Sequence, residues 1–332
     1  MFLDDSEATL KKIAINVDER RNARIKNEVT AAVKEAGLNY KVEYFNNSSD
    51  TFSYAPEILI GHMNSENSTL ICNPPSSLKW FHVMSSGVDR VVKDHGNTLL
   101  THNIKLSNVS GIHSVAMREY VISMMLFFEK NLNRWIKQKD SAEWSRSPLS
   151  CLSGKTVLVY GVGNIGKEVG MATNFFGMRT IGISKSGKHV EGFERVYEAS
   201  MVEECAKKAD YIIIAAPKTA ATEGVFSKEL LSSLKQEAVI INISRGELLD
   251  EQCLVDLLNA GRIRGAALDV FREEPLAKDS MLWTCDNLMI TPHISGLFSD
   301  GMGLGIKCFM DNLKSWDATG QLLSEICIHE GY

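Results

Sequence analysis

Short apolar runs alternate with segments of helical period along most of the chain, the pattern of strands joined by crossover helices in a parallel sheet. In the first third the runs predict strands at residues 13–17, 41–45, 57–61, 79–83 and 99–101, with a helix over residues 23–36 that stops at Gly37. A long, mostly apolar helical segment over residues 117–135 reads as a connecting helix, and a loop holding Ser147, Pro148 and Ser150 leads on from it. A second, more strongly patterned series predicts strands at residues 156–160, 179–184, 211–215, 238–243, 265–270 and 288–290. Six such strands suit a nucleotide-binding sheet. After Gly296 a helix over residues 306–317 is too short to form a domain, so it is expected to pack back on the first sheet. The class is α/β, with a discontinuous smaller domain.

A length of 332 residues allows two domains, and 44% apolar with 23% charged residues is ordinary globular composition, which excludes disordered and fibrous chains. Against 41 acidic residues stand 36 Lys and Arg, a formal charge of -5 with no long basic run, so nucleic acid is not an expected partner. The seven cysteines, Cys72, Cys151, Cys205, Cys253, Cys285, Cys308 and Cys327, are dispersed without a C-x-x-C pair, and no metal is expected. The start, MFLDDSEATLKK, is acidic where a secretory signal is basic, and the densest apolar stretch, residues 121–128, is about half the ~18 residues of a membrane helix. The expected location is the cytoplasm, away from membranes.

Gly161-Val162-Gly163-Asn164-Ile165-Gly166 is a G-x-G-x-x-G that follows the apolar run Val157-Leu158-Val159-Tyr160 and opens a helical segment. In that setting Gly161 permits a tight turn, Gly163 lets the backbone approach a pyrophosphate and Gly166 lets helix and strand pack closely. Amides at Asn164, Ile165 and Gly166 would meet the anion. An NAD site would carry an acid at the end of the next strand, roughly 20 residues on, to hold the ribose 2′-hydroxyl. Instead Ile183 is followed by Ser184-Lys185-Ser186-Gly187-Lys188, whose hydroxyls and ammonium groups suit a 2′-phosphate. NADP(H) is favoured, with NAD(H) the alternative.

Three ionisable residues follow three consecutive strands of the second series at their carboxyl ends: Arg245, Glu274 and His293. Open α/β sheets bind ligands at those ends, where the glycine loop also lies. Singly, each has an ordinary reading, as a surface charge, a loop carboxylate and a histidine beside Pro292. Together they form a chemical set for reducing a 2-keto acid. A guanidinium fork can hold a carboxylate and polarise the neighbouring carbonyl, an imidazole can pass a proton, and a carboxylate can fix the imidazole tautomer.

With these residues in place the chain resembles the D-isomer-specific 2-hydroxyacid dehydrogenases over essentially its whole length. The resemblance rests on Gly161 to Gly166, on Pro217-Lys218-Thr219-Ala220-Ala221-Thr222, on Asn242-Ile243-Ser244-Arg245-Gly246, on Leu268-Asp269-Val270-Phe271 leading to Glu273-Glu274-Pro275-Leu276, and on Thr291-Pro292-His293. It implies two Rossmann-like or flavodoxin-like domains with doubly wound parallel sheets and a cleft between them. Residues 1–107 plus 297–332 would bind substrate and residues 108–296 the dinucleotide. The family's catalytic Arg, Glu and His fall on Arg245, Glu274 and His293, and its substrate loop on Ser85-Ser86-Gly87-Val88-Asp89, with Ser86 and Gly87 amides on the carboxylate. Asp269 would lie by the nicotinamide carboxamide, Ser244 near the same ring, Pro217 over the adenine, and Thr222 in the same cofactor-binding segment.

Met117-Arg118-Glu119-Tyr120, the Lys185 turn and the terminal Gly331-Tyr332 look most like the NADPH-dependent glyoxylate/hydroxypyruvate reductase branch. The resemblance further implies a small 2-keto or 2-hydroxy acid as substrate, the D-product, and a homodimer through the connecting helices with Trp144 near the partner's site. Departures from the pattern are Lys218, a candidate for an extra phosphate contact, and the stretch Ile294-Ser295-Gly296-Leu297-Phe298, where Phe298 or Met302 would shape the substrate pocket. A phosphite or formate dehydrogenase on this scaffold and a dinucleotide-sensing binding protein are the alternatives. Formate-oxidising members replace the Glu with Gln, so Glu274 argues against that activity.

Overall fold

The computed structural model describes residues 10–17 and 19–331. The acidic start and Tyr332 lie outside the described residues. The chain is α/β and divides into two compact units, Met1–Ile112 with Ser299–Tyr332, and His113–Phe298.

The first unit runs β1 (Lys11–Asn16), α1 (Glu19–Glu35), β2 (Tyr40–Tyr44), α2 (Ser48–Tyr54), β3 (Ile58–Gly61), α3 (Ser65–Cys72), β4 (Trp80–Val83), α4 (Asp89–Thr101) and β5 (Lys105–Asn108). Its parallel sheet has the order β2-β1-β3-β4-β5, the flavodoxin-like arrangement. In the inner strands β1, β3 and β4 the side chains alternate between two buried faces, whereas the edge strand β2 buries only Tyr40 and Val42. Ile13, Ile15 and Ile58 pack in one cluster with Val29 of α1, while Ala14, Leu59 and Phe81 pack in the other with Ile71 of α3.

The expected strand at residues 99–101 is instead the last turn of α4, and the strand is β5. Leu99 is fully buried while Leu100 is largely exposed, and Val91, His95 and Leu99 recur on one buried face at helical spacing. The strand itself reads Lys-Leu-Ser-Asn, so apolar pattern does not reveal it. Its buried Ser107 instead takes the Trp80 indole N–H at 2.8 Å and meets His82 Nδ1 at 2.7 Å. Burial pushes the His82 pKa down to about 3, so this imidazole is neutral inside the sheet.

The second unit runs α5 (Ser114–Glu129), α6 (Leu132–Asp140), β6 (Thr156–Tyr160), α7 (Asn164–Phe175), β7 (Arg179–Ser184), β8 (Arg195–Glu198), α8 (Val202–Ala206), β9 (Tyr211–Ile214), α9 (Lys228–Ser232), β10 (Val239–Asn242), α10 (Glu251–Asn259), β11 (Gly265–Leu268) and β12 (Leu288–Ile290). The chain then returns to the first unit through α11 (Gly301–Thr319), whose Ile306, Phe309 and Leu313 join the core around Ile13. The single connecting helix expected over residues 117–135 is two helices, because Asn131 adopts φ 51, a left-handed conformation that ends the ladder of α5. A seventh strand, β8, joins the six expected ones. Its Arg-Val-Tyr-Glu sequence carries charge at both ends, as suits an edge strand.

The seven parallel strands follow the order β12-β11-β10-β9-β6-β7-β8, the doubly wound dinucleotide-binding order with one added strand. Chain direction across the sheet reverses between β6 and β9, which pair Val157↔Tyr211 through Tyr160↔Ile214. That switch point opens a crevice at the carboxyl ends of the two strands. Beneath it Val157, Val159, Ile213 and Ile241 are fully buried with Val121 and Met125 of α5 and Val169 of α7. At about 1.5 to 3 kcal/mol for each fully buried aliphatic side chain, this packing stabilises the floor of the crevice.

Candidate active site

The glycine loop sits in that switch point. Gly161 adopts φ 100, and a β carbon on it would fall 2.4 Å from the amide nitrogen of Ala216, which follows β9. A β carbon on Gly166 would fall 1.9 Å from the Gly161 carbonyl oxygen. Both positions therefore exclude every other residue by contact, and Gly161 by backbone conformation as well. Gly163 differs: nothing lies within 4 Å of where its β carbon would be. It caps the start of α7, where no side chain caps the helix and the ladder opens with Lys167 N–H donating to Gly163 O at 2.8 Å. The amides of Asn164, Ile165 and Gly166 form the first turn beside that open space, so the residues present fit a dinucleotide pyrophosphate.

Next along the carboxyl ends, the structure brings Glu274 and His293 together. His293 Nδ1 and Glu274 Oε2 lie 2.8 Å apart. A carboxylate can only accept, so Nδ1 carries the proton and Nε2 is left for a reacting group. Glu274 is held in turn by the Phe271 amide, which donates to its Oε1 at 3.0 Å. His293 adopts φ 55, a left-handed conformation uncommon outside glycine, and its amide donates to Asp269 O at 2.8 Å and Thr291 O at 3.0 Å.

Asp269 lies beneath this loop and is fully buried. Its Oδ1 accepts the Thr291 hydroxyl at 2.6 Å and the Ile294 amide at 2.8 Å, and its Oδ2 accepts the Ser295 amide at 2.9 Å. The carboxylate assigned by resemblance to the nicotinamide carboxamide thus also holds the 291–295 loop. Because the Thr291 hydroxyl donates to Asp269, the Tyr120 hydroxyl 2.7 Å away donates to Thr291, which extends the chain of bonds to α5. Burial, foremost, pushes the Tyr120 pKa up to about 12, so the phenol keeps its proton. Sequence reasoning missed this supporting role of Tyr120 and Thr291, because it depends on a contact across 171 residues.

Arg245 stands three residues beyond β10, its NH1 donating to Ser244 O at 2.7 Å. The segment is shaped by Asn242, whose amide donates to Arg245 O at 2.9 Å and whose Oδ1 accepts the Ser244 amide at 3.0 Å. The Ser244 hydroxyl donates to Ala216 O, tying the ends of β10 and β9 together. Thr222 closes the turn begun at Pro217 by donating to Pro217 O at 2.6 Å. Lys218, a candidate for a phosphate contact, pairs with Glu247 at 2.6 Å. After β7, Ser184 Oγ accepts the Gly187 amide at 3.0 Å, forming a compact turn with Lys185 and Ser186 exposed. In the first unit the Ser86 carbonyl accepts the Asn108 side-chain amide at 2.6 Å, and the Ser85 hydroxyl donates to the Gly87 carbonyl at 3.0 Å. Those bonds shape the Ser86–Gly87 turn through its carbonyls. Among the described residues no group of three His, Cys, Asp or Glu could hold a metal ion, and no helix is long and apolar enough to cross a membrane.

Comparison with known proteins agrees with this geometry. The family model for the D-isomer specific 2-hydroxyacid dehydrogenase, NAD binding domain, matches residues 122–295. A D-isomer specific 2-hydroxyacid dehydrogenase family protein from Aeromonas salmonicida is 28% identical, with a TM-score of 0.82 over 96% of this chain and 100% of that one. An acyclic imino acid reductase solved with NADPH and D-Arg is 25% identical, with a TM-score of 0.78 over 95% of this chain and 100% of that one. A glyoxylate reductase from Pyrococcus furiosus is 31% identical over 200 residues, 58% of this chain and 59% of that protein.

Proposed function

The chain belongs to the D-isomer-specific 2-hydroxyacid dehydrogenase family, oxidoreductases that use a nicotinamide dinucleotide on small 2-keto and 2-hydroxy acids, and from that premise we propose that it reduces a glyoxylate- or hydroxypyruvate-like acid to the D-2-hydroxy acid with NADPH. The single observation that carries the reading is the Glu274–His293 pair, 2.8 Å apart at the carboxyl ends of the sheet that holds the glycine loop.

When bound, the reduced nicotinamide supplies the hydride. The residues do the rest. Arg245 takes the substrate carboxylate with its guanidinium fork and polarises the adjacent carbonyl, a geometry lysine lacks. The Ser86 and Gly87 amides are assigned, by resemblance, to a substrate carboxylate. His293 Nε2 donates a proton to the carbonyl oxygen and recovers it in the reverse direction, while Glu274 keeps the proton on Nδ1 and stabilises the imidazolium. Gly161, Gly163 and the first turn of α7 receive the pyrophosphate, and Ser184, Lys185 and Ser186 receive the 2′-phosphate. Pro217, Thr222 and Ser244 shape the walls of the cofactor site, and Asp269, which also holds the 291–295 loop, is assigned to the nicotinamide carboxamide. The side chain of Trp144, 90% exposed beyond α6, supports a homodimer formed through this region.

Oxidation of NADPH and NADH is to be followed by absorbance against glyoxylate, hydroxypyruvate, pyruvate, phenylpyruvate and branched 2-keto acids, with chiral analysis of the product. An imine of a 2-keto acid forms a further arm, motivated by the similarity to the imino acid reductase. Turnover with NADPH giving the D-product is expected. No turnover with any acid despite cofactor binding would instead favour phosphite oxidation or a sensing role. Replacing Lys185 with Asp puts a carboxylate where the 2′-phosphate is assigned, and preference is expected to move toward NADH by roughly tenfold or more, about the cost of one lost charge-assisted contact. An unaltered ratio of the two cofactors would remove the assignment.

A further inference from the structure

The loop that carries Glu274 is gripped at two consecutive amides. Phe271 N–H is taken by Glu274 itself, at 3.0 Å. The next amide, Arg272 N–H, donates at 2.7 Å to Oε1 of Glu251, a residue in the first turn of α10 and more than twenty positions back in the chain. The helix is a firm anchor, since Asp250 caps it by accepting the Cys253 amide at 2.9 Å and Leu254 and Val255 are buried in the core. Gly246 presses on the same peptide: a β carbon there would lie 2.0 Å from the Phe271 carbonyl carbon and 2.2 Å from the Arg272 nitrogen. The 271–272 peptide is thus contacted by Gly246 and Glu251, which both belong to the segment that follows Arg245.

We propose that Glu251 is a positioning residue for the Glu274–His293 pair: by holding the Arg272 amide it fixes the loop from which Glu274 orients the imidazole. The inference rests on the dehydrogenase reading for its effect on turnover, and on geometry alone for its effect on the imidazole. Burial pushes the Glu251 carboxyl pKa up, the nearby carboxylates of Glu247 and Glu274 push the same way, and the Arg272 amide and charge oppose them. What the geometry needs from residue 251 is an acceptor at the right reach, not a charge. Glutamine supplies one, alanine does not, and aspartate withdraws it by one methylene.

The test compares Glu251→Ala, Glu251→Asp and Glu251→Gln with the wild type in two ways. The first is kcat and KM for the 2-keto acid and for NADPH. The second needs no substrate: long-range 1H–15N spectra of the His293 ring at alkaline pH, its signals identified by their loss in His293→Ala. For Glu251→Ala the expected result is a fall in kcat of about tenfold, the scale on which sub-ångström misplacement of a catalytic group acts, with KM for NADPH within about twofold. Its ring is expected to drift from the Nδ1–H tautomer toward Nε2–H. Aspartate gives the same changes in smaller measure and glutamine restores both, which a loss of general stability would not do. Wild-type tautomer and kcat in the alanine or aspartate variant would overturn the proposal, as would a glutamine variant as impaired as alanine. If the wild type reduces none of the acids, the dehydrogenase reading fails while the tautomer measurement still decides the role of Glu251.

Discussion

Replacing His293 with alanine is expected to lower turnover by about 10² or more, the contribution of a positioned acid/base, while affinity for NADPH stays within about twofold. In energy this is roughly 2.7 kcal/mol of lost transition-state stabilisation. The acceptor-only carboxylate of Glu274 holds one proton on Nδ1, so the proton that the imidazolium gives up, and that the neutral ring takes back, is the one on Nε2. Alanine at 293 deletes that donor and leaves the glycine loop, between β6 and α7, untouched. A matching loss in kcat and kcat/KM would place the interaction in the transition state, whereas a rise in KM alone would mark His293 as a substrate contact. Steady-state kinetics with the best acid of the panel, beside fluorescence titration of NADPH, separates these outcomes. Unchanged turnover would remove His293 from the mechanism.

Much of this site was legible in the sequence, and the parts that were not share a physical cause. The glycine loop stands out because Gly161 and Gly166 occupy positions where a β carbon would collide with backbone, so composition there reports geometry directly. Arg245, Glu274 and His293 stand out because they are ionisable residues placed just after apolar strands. By contrast β5 was invisible, since Leu106 is its one apolar residue and its buried Ser107 is satisfied by hydrogen bonds with Trp80 and His82. The break at Asn131 was hidden inside a run whose apolar period continues across it. Glu251, Tyr120 and Thr291 escaped for a third reason: each acts through a partner distant in sequence, and no local pattern records which partner the fold supplies. Asp269 was noticed, but only the structure shows that it also holds the 291–295 loop.

That hold leads to the largest expected effect on stability and activity together. Asp269→Ala would leave the Ile294 and Ser295 amides and the Thr291 hydroxyl without their acceptor, Ser295 being buried as well. At about 1 kcal/mol or more for each donor stranded away from water, the loss is roughly 3 kcal/mol. For a unit of this size that lowers the melting midpoint by about 6 to 12 °C. Turnover should fall as well, because His293 sits at φ 55, and its amide bonds to the Asp269 and Thr291 carbonyls, in a loop locked by the Asp269 side chain, help offset the strain of that conformation. Asp269→Asn distinguishes acceptor from shape. It keeps the volume but turns one oxygen into a donor facing another N–H, so it is expected to recover part of the melting temperature and little of the turnover. Thermal melts and kinetics on the two variants check this. A wild-type melt in the alanine variant would show that the loop keeps its form without Asp269.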